Sequence, residues 1–188
     1  MRRKDREMSR DFGLDLIDRV PYGVLSLVDE DRDRAYSLPL SLVREGEVLY
    51  FHSAQAGRKV DLLAKNPQVG ISFVGQVQVP ENFTPEELEA LAQDKQAGVK
   101  LISSVFTTEF ESVFVEGEAS PVADREEKIH ALYLICKKYT PDKLAYFDLA
   151  ISSGLPRVQV YRVDIQSLTA KRKKYDASGK EMKWGRME

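Results

Sequence analysis

The chain has 188 residues, a formal net charge of −2 and a single cysteine, Cys136. Its length fits one domain with a sizeable core, and its charge balance gives no electrostatic reason to expect nucleic-acid binding. One cysteine excludes an intrachain disulfide framework. Together with the absence of a long apolar run, it favours a cytoplasmic protein without a signal peptide or membrane span.

The first third of the chain predicts a helix followed by β hairpins. Residues 1–11 are expected to form a loosely held charged arm, and the apolar spacing in residues 12–19 is typical of a short helix. Two polar turns in succession indicate an antiparallel meander. Pro39 marks an edge, a bulge or a place where something other than a strand takes the neighbouring position. The predicted strands comprise residues 24–28, 35–43 and 48–51.

The third predicted strand leads into the most informative stretch of the sequence. A short loop of small residues, including Ser53, is followed by Gly57, Arg58 and Lys59, which open a predicted helix that Pro67 stops. The free N–H groups and the dipole of a helix start favour an anion. Arg58 can grip a phosphate with two parallel bonds, and Lys59 adds a point charge. The alternative is a solvated helix start with ordinary surface cations.

His52 lies in the same stretch, and its unperturbed pKa near neutrality would suit proton transfer. The alternative is a structural histidine bonded to nearby backbone. The other histidine, His130, lies on a predicted helix, and because zinc-ligand spacing is absent no metal site is predicted. Cys136 falls on the apolar face of that helix and is interpreted as a core residue rather than a nucleophile. Phosphate-loop, Rossmann and G-x-S-x-G signatures are absent.

The second half of the chain alternates strands with helices. Thr84 and Glu87 form a capping box, which predicts a helical insertion over residues 84–99, and Gly117 predicts a bulge or a close backbone approach. Four cations at 171–174 are interpreted as part of a solvated basic tail, 171–188. Hairpins followed by helices predict an antiparallel sheet, most economically closed into a small barrel. The other predicted elements are strands at 69–74 (extending towards 79), 106–122 and 158–165, a helix after Asp124 with Ile129, Leu132, Tyr133 and Cys136 on one face, and a helix at 143–151.

Several blocks of the sequence occur together in an order that is familiar from one family. The most specific is Leu49-Tyr50-Phe51-His52-Ser53-Ala54 followed by Gly57-Arg58-Lys59. The others are Val20-Pro21-Tyr22-Gly23-Val24-Leu25-Ser26-Leu27, Ser37-Leu38-Pro39-Leu40, Leu62-Leu63, Asn66-Pro67, Phe106-Thr107-Thr108, Ser112-Val113 with Gly117, and Glu127-Lys128 with Ala131-Leu132. Over residues 12–170 the chain resembles the pyridoxamine 5′-phosphate oxidase-like flavoproteins, most closely their 5-nitroimidazole resistance (Nim) branch.

The resemblance implies a mainly β fold with flanking helices. The expected form is an FMN-binding split β-barrel of six antiparallel strands, of the Greek-key type, with peripheral helices in one domain, 1–188. A homodimer with the flavin at the subunit interface is also implied, with FMN as cofactor and FAD as the alternative. Arg58 and Lys59 would hold the phosphate, and the second strand would run beside the flavin ring. The implied cofactor-binding residues are Ser37, Leu38, Pro39, Leu40, Ser41, Phe51, His52, Ser53, Ala54, Gly57, Arg58 and Lys59.

The function implied by the resemblance is that of an oxidoreductase. Electrons would pass from a reduced nicotinamide to a small acceptor such as a nitroaromatic, with His52 as the candidate proton donor. The alternative is a non-catalytic protein of the same fold that stores or senses flavin or haem. Residues 183–188 do not reproduce the Arg-x-His type motif of true pyridoxamine phosphate oxidases, and Gly57 replaces their usual serine. Classical oxidase activity is therefore not expected. The charge balance and the absence of a long apolar run also give no reason to expect a nucleic-acid or membrane partner.

Overall fold

The structure is a computed structural model that describes residues 2–94, 96 and 104–184. The strands are β1 Glu7–Met8, β2 Gly23–Asp29, β3 Arg34–Leu40, β4 Val43–Glu45, β5 Val48–Ala54, β6 Gln68–Gln78, β7 Glu109–Pro121 and β8 Val158–Lys173. The helices are α1 Arg10–Arg19, α2 Arg58–Lys65, α3 Pro85–Gln93, α4 Arg125–Tyr139 and α5 Phe147–Gly154. Part of the predicted insertion 84–99 lies outside the described residues. Within the described part of the chain, no helix has both the length and the apolar character that a membrane crossing requires.

The strands form one antiparallel sheet in the order β3-β2-β6-β7-β8-β5-β4, and β1 adds to one end of β8. This sheet with flanking helices confirms the predicted mainly β class. The predicted number of six strands is wrong, because the described residues already form a sheet of eight. The sheet is also not closed: in the described part of the chain the outermost strands of this order, β3 and β4, do not pair with each other.

The predicted meander is wrong, because the two hairpins lie at opposite ends of the sheet. β2 pairs with β3 on one side and β6 on the other, whereas β5 pairs with β4 and β8. Turn signals report only the pairing of strands adjacent in sequence, so they could not place the hairpins relative to each other. Pro39 lies on β3, opposite Val24 of β2. β3 is an edge strand, where a missing N–H donor is tolerated.

Helices α1 and α2 pack against the side of the sheet that carries the main core. Leu16 and Ile17 of α1 and Leu62 of α2 are buried in one cluster with Phe51 and Phe73. Burying each such side chain stabilises the fold by about 1.5–3 kcal/mol before the entropy of ordering is subtracted. The helix starts are built as the sequence predicts. Thr84 and Glu87 form the capping box of α3, and Asp124 caps α4.

Helix α4 packs on the opposite side of the sheet, near β4 and β5. Its Ala131 and Ile135 are buried against Tyr50 and Val160 in a second, smaller cluster. A hydrogen bond joins the Tyr50 hydroxyl to Glu127, and burial together with this neighbouring carboxylate raises the pKa of Tyr50 to about 12. The helix is therefore attached through both apolar and polar contacts.

The register of β7 and β8 shifts between Glu116 and Gly117, which confirms the predicted bulge. A Cβ atom at Gly117 would overlap the backbone oxygen of Asp164. Only glycine permits this close approach, so Gly117 has a steric role in the sheet.

The two chain ends hold each other, which corrects two expectations. Glu7 of the predicted loose arm pairs with Lys171 of β8, and Arg6 forms an ion pair with Glu181. Residues 171–173 of the predicted solvated tail belong to β8 instead. A run of cations looks solvated in sequence, but the long aliphatic stems of lysine and arginine can lie along a sheet, as Arg172 does over the ring of Phe12.

Candidate functional site

Strand β5 continues through His52, Ser53 and Ala54, which the sequence predicts as strand end and loop. Side chains alternate along a strand, so neighbouring residues face opposite sides of the sheet. Phe51 and Ser53 are buried on the side that carries the main core, whereas His52 and Ala54 are exposed on the other side. His52 and Ser53 therefore cannot contact the same small group from one direction.

Gly57 makes the turn from β5 into α2 in a backbone conformation that favours glycine. Its φ of 124° and ψ of 168° lie in a region essentially restricted to residues without a Cβ atom. This explains in physical terms why a glycine precedes the basic pair. Among the described residues no side chain caps α2, so the first N–H groups of the helix face outward without a side-chain acceptor. The start of α2 is consequently suited to an anion.

Arg58 is directed towards the β2–β3 hairpin. Its Nε and Nη2 donate to Oδ2 of Asp29 over 3.1 and 2.6 Å, and its guanidinium lies 4.4 Å from the Tyr36 ring centroid. The Asp29 carboxylate is almost wholly buried, and its bond from Arg58 lowers the pKa of Asp29. Within the described residues, these bonds use two of the five N–H donors of Arg58. The guanidinium is thus fixed in place with donors still available to a second acceptor.

Lys59 is directed towards β5 instead. Its Nζ lies 5.3 Å from the ring centroid of Phe51, and burial lowers the pKa of Lys59. Successive helix residues point about 100° apart, which follows from 3.6 residues per turn. The basic pair therefore joins two regions that are distant in the sheet, Arg58 at β2–β3 and Lys59 at β5.

The environment of His52 favours its neutral form. Part of its side chain is exposed, but the surrounding protein removes enough water to lower the pKa of His52, and the charge of Lys59 lowers it further. A neutral imidazole has one N–H donor and one acceptor nitrogen. His52 can therefore donate a hydrogen bond at pH 7, but it does not hold a readily transferable extra proton.

The predicted site residues fall into two groups. Gly57, Arg58 and Lys59 form the start of α2, and the adjoining end of β5 contains Phe51, His52, Ser53 and Ala54, which alternate between the two faces of the sheet. Ser37–Ser41 lead away from it: Pro39 is three residues beyond Tyr36, which corresponds to about 10 Å along a strand.

Along β3 the side chains again divide between two faces. Ser37 and Pro39 are exposed, and the Ser37 hydroxyl lies 2.9 Å from that of Ser26, whereas Leu38 and Leu40 pack against the core. Ser41 lies beyond the strand, at an open depression of about 550 Å³ that Pro39 also lines. A cationic end is thus followed by a long uncharged strand surface.

Sequence reasoning missed Asp29 and Tyr36. Asp29 begins a run of charged residues predicted as a solvated turn, yet it is only 3% exposed. Charge alternation carries no signal for which member of such a run is buried. The local sequence indicates the burial of Asp29 only weakly: Asp29 ends an apolar strand, and Arg58 follows later in the chain at a helix start.

His52 also lines a cavity of about 200 Å³ that lies between β5, α4 and α5. Among its walls are Leu132, Ile135, Cys136 and Phe147. The predicted core role of Cys136 is therefore wrong in part: the thiol is half-buried and borders this cavity. Helix α4 packs against the sheet through Ala131 and Ile135. The predicted apolar face, which includes Leu132 and Cys136, lies towards α5 and the cavity instead.

A family model described as pyridoxamine 5′-phosphate oxidase matches residues 9–172, which is most of the chain. The chain belongs to this family. No curated protein matches the sequence significantly. Membership of the pyridoxamine 5′-phosphate oxidase family confirms the resemblance inferred from the sequence blocks.

Solved structures agree on the fold. A protein from Bacteroides thetaiotaomicron, proposed as a 5-nitroimidazole antibiotic resistance protein, is 23% identical, with a TM-score of 0.66 over 88% of this chain and 86% of that one. An FAD and haem binding protein from Mycobacterium smegmatis is 17% identical, with a TM-score of 0.65 over 89% and 73%. The flavocytochrome Anf3 from Azotobacter vinelandii is 15% identical, with a TM-score of 0.66 over 91% and 72%.

Proposed function

We propose that the chain binds a flavin, FMN in the first instance, with the phosphate at the start of α2. The observation that carries this proposal is the uncapped helix start at Gly57, flanked by Arg58 and Lys59. Helix N–H groups, a fork of guanidinium donors and an ammonium point charge are complementary to a phosphate dianion. Solved structures of this fold include proteins described as FAD-binding, which supports a flavin over other phosphates.

The rest of a flavin fits the surface that leads away from the cations. An FMN molecule is charged at one end and carries a long, largely uncharged body. The β3 segment Ser37–Ser41 offers exposed backbone, hydroxyls and apolar side chains over that direction. Because Arg58 is fixed by Asp29 and Tyr36, the phosphate would meet a preorganised donor rather than a mobile side chain.

We propose that the bound protein is an oxidoreductase that passes electrons from a reduced nicotinamide to a small acceptor such as a nitroaromatic. The flavin, when bound, would supply hydride and electron transfer. His52 would act on the acceptor as a neutral hydrogen-bond donor at pH 7, because its pKa is lowered. The single cysteine fits the cytoplasmic location that we propose.

We further propose a homodimer with flavin at the subunit interface, supported by an exposed face of the sheet. Val28 of β2, Val74 of β6 and Phe114 of β7 are 56%, 55% and 42% exposed. The strand registers place all three on the same side of the sheet as Ser37 and Pro39. Exposed apolar side chains on one face of a sheet favour association, and a partner there would cover the outer side of β3.

A second candidate is a non-catalytic flavin- or haem-binding protein of the same fold. Its support is the neutral, partly exposed imidazole of His52, which is a suitable haem ligand, and the haem-binding relatives described above. The absorbance spectrum of the purified protein after incubation with FMN separates the candidates. If the protein is an oxidoreductase, its flavin absorbance bands are expected to bleach when NADH or NADPH is added in the absence of oxygen. The bands should return when a nitroaromatic compound is then added. A haem band without such bleaching favours the second candidate, and a colourless protein contradicts both.

A further inference from the structure

The cavity beside His52, here called the α4–α5 cavity, differs in chemistry from the start of α2. Its lining combines one imidazole with the thiol of Cys136 and otherwise only hydrocarbon side chains or glycine. Leu132 and Ile135 of α4 form one wall, and Phe147 and Ile151 of α5 form another. An apolar cavity with one placed polar group is the usual composition of a small-molecule site.

The volume limits the ligand to about one ring. An apolar cavity of about 150 Å³ in another protein stays dry and binds benzene, whereas pockets for drug-sized ligands occupy about 300–1,000 Å³. At about 200 Å³ the α4–α5 cavity has room for one aromatic ring with a small substituent. The ring of Phe147, which meets Tyr133 edge to face at 5.5 Å, is held in place to pack against such a ligand.

The walls also select against charge. An ion inside the cavity would lose its water and find hydrocarbon in its place, which is strongly unfavourable. A neutral compound with one oxygen can instead use the single polar position. His52 supplies a hydrogen-bond donor there, on the side of β5 that faces away from the core.

We propose that the α4–α5 cavity binds a neutral, single-ring aromatic compound whose carbonyl or comparable oxygen accepts a hydrogen bond from His52. This goes beyond the proposed flavin site, because it assigns a second binding site and a ligand class to a cavity whose lining, apart from His52, contains none of the residues proposed to hold the flavin. The binding itself does not depend on flavin.

Helix α5 forms one side of the cavity and provides a matched pair of variants. None of its eight residues is buried, and Leu149 is 72% exposed on the outside, whereas Ile151 lines the cavity. Ile151→Phe adds a ring to the cavity, and Leu149→Phe makes a similar change on the outside of the same helix. The two variants therefore separate loss of cavity space from a general effect on α5.

The test is isothermal titration of the full chain, with and without FMN, using three probes of one ring each. Acetophenone carries a carbonyl, ethylbenzene lacks it, and benzoate is charged. We expect acetophenone to bind saturably at one site per chain, ethylbenzene roughly two- to tenfold more weakly because one neutral hydrogen bond is lost, and benzoate not to saturate. We expect Ile151→Phe to abolish acetophenone binding, Leu149→Phe to leave it unchanged, and His52→Leu to remove the preference for acetophenone over ethylbenzene.

Absence of saturable acetophenone binding, or binding that survives Ile151→Phe, would overturn the proposal. A retained preference after His52→Leu would overturn the role of the imidazole. Should Ile151→Phe fail to fold by circular dichroism, Ala150→Leu, which adds side-chain volume at the same wall without an aromatic ring, replaces it with the same expectation. Flavin content is read independently from absorbance, so failure of this site and failure of the flavin proposal give different results.

Discussion

Replacement of Gly57 by alanine tests how the start of α2 is built. The residue has a φ of 124° and a ψ of 168°, and an added Cβ would meet no atom within 4 Å. The cost of Gly57→Ala is therefore the local backbone strain alone, about 1–3 kcal/mol for this region. In a domain of this size each 1 kcal/mol lowers Tm by about 2–4 °C, so the expected loss is roughly 2–12 °C.

The assay is urea and thermal unfolding of the flavin-free protein, followed by circular dichroism. Gly154→Ala is the matched control, because Gly154 has a φ of −94° and a ψ of −29°, and its Cβ would also meet no atom within 4 Å. Alanine fits that conformation and is expected to stabilise the fold by about 0.4–1 kcal/mol through the unfolded state. The two substitutions thus have opposite predicted signs.

Relief of the strain would also rotate the first turn of α2 and move Arg58 and Lys59. We therefore expect Gly57→Ala to weaken FMN binding as well as to destabilise the flavin-free protein. A Gly57→Ala variant within about 0.5 kcal/mol of the parent would place it among ordinary surface substitutions. That result would refute both the glycine-specific backbone and its role in shaping the anion site.

Three further predictions concern other parts of the molecule. An NMR titration should give His52 a pKa below its usual 6.5, and Lys59→Met should raise it because the neighbouring positive charge is removed. Since the folded pKa is the lower one, the stability linked to His52 is present above its unfolded pKa and is lost as pH falls through the folded pKa; a pKa at or above 6.5 would contradict the lowering of the His52 pKa by desolvation and by Lys59. Gly117→Ala should destabilise the fold by about 1–3 kcal/mol or more in urea unfolding, because the new methyl group meets backbone rather than a flexible side chain, and a neutral effect would mean that the β7–β8 bulge is misplaced. Val74→Lys should convert the proposed dimer into a monomer in light scattering, whereas Leu149→Lys should not; an unchanged mass would exclude the outer sheet face as the interface.

Local signals in the sequence predicted the local structure well. The capping box at Thr84, the cap at Asp124 and the close approach at Gly117 each depend on a few neighbouring residues, so the sequence contains the whole cause. The helix start at Arg58 belongs to the same class. Its suitability for an anion follows from Gly57 and two cations that are adjacent in the chain.

The features that were missed depend on contacts between distant segments. Tight turns do not indicate that β6, β7 and β8 separate the two hairpins, because that order is set by burial across the whole sheet. The burial of Asp29 depends on Arg58, which lies 29 residues later in the chain. Helical periodicity predicts that Cys136 lies on an apolar face. It does not indicate whether a sheet, a helix or a cavity lies opposite that face, and Cys136 borders a cavity.

The preference for FMN over riboflavin tests the proposed phosphate site most directly, because the two ligands differ only in the phosphate. We expect the parent protein to bind FMN much more tightly than riboflavin by fluorescence titration. Arg58→Ala with Lys59→Ala should abolish this preference while riboflavin binding and the fold survive. Lys65→Ala, at the other end of α2 where the side chain pairs with Asp31, should retain it. A double variant that still prefers FMN, or a parent protein that binds neither ligand, would contradict a flavin phosphate at the start of α2.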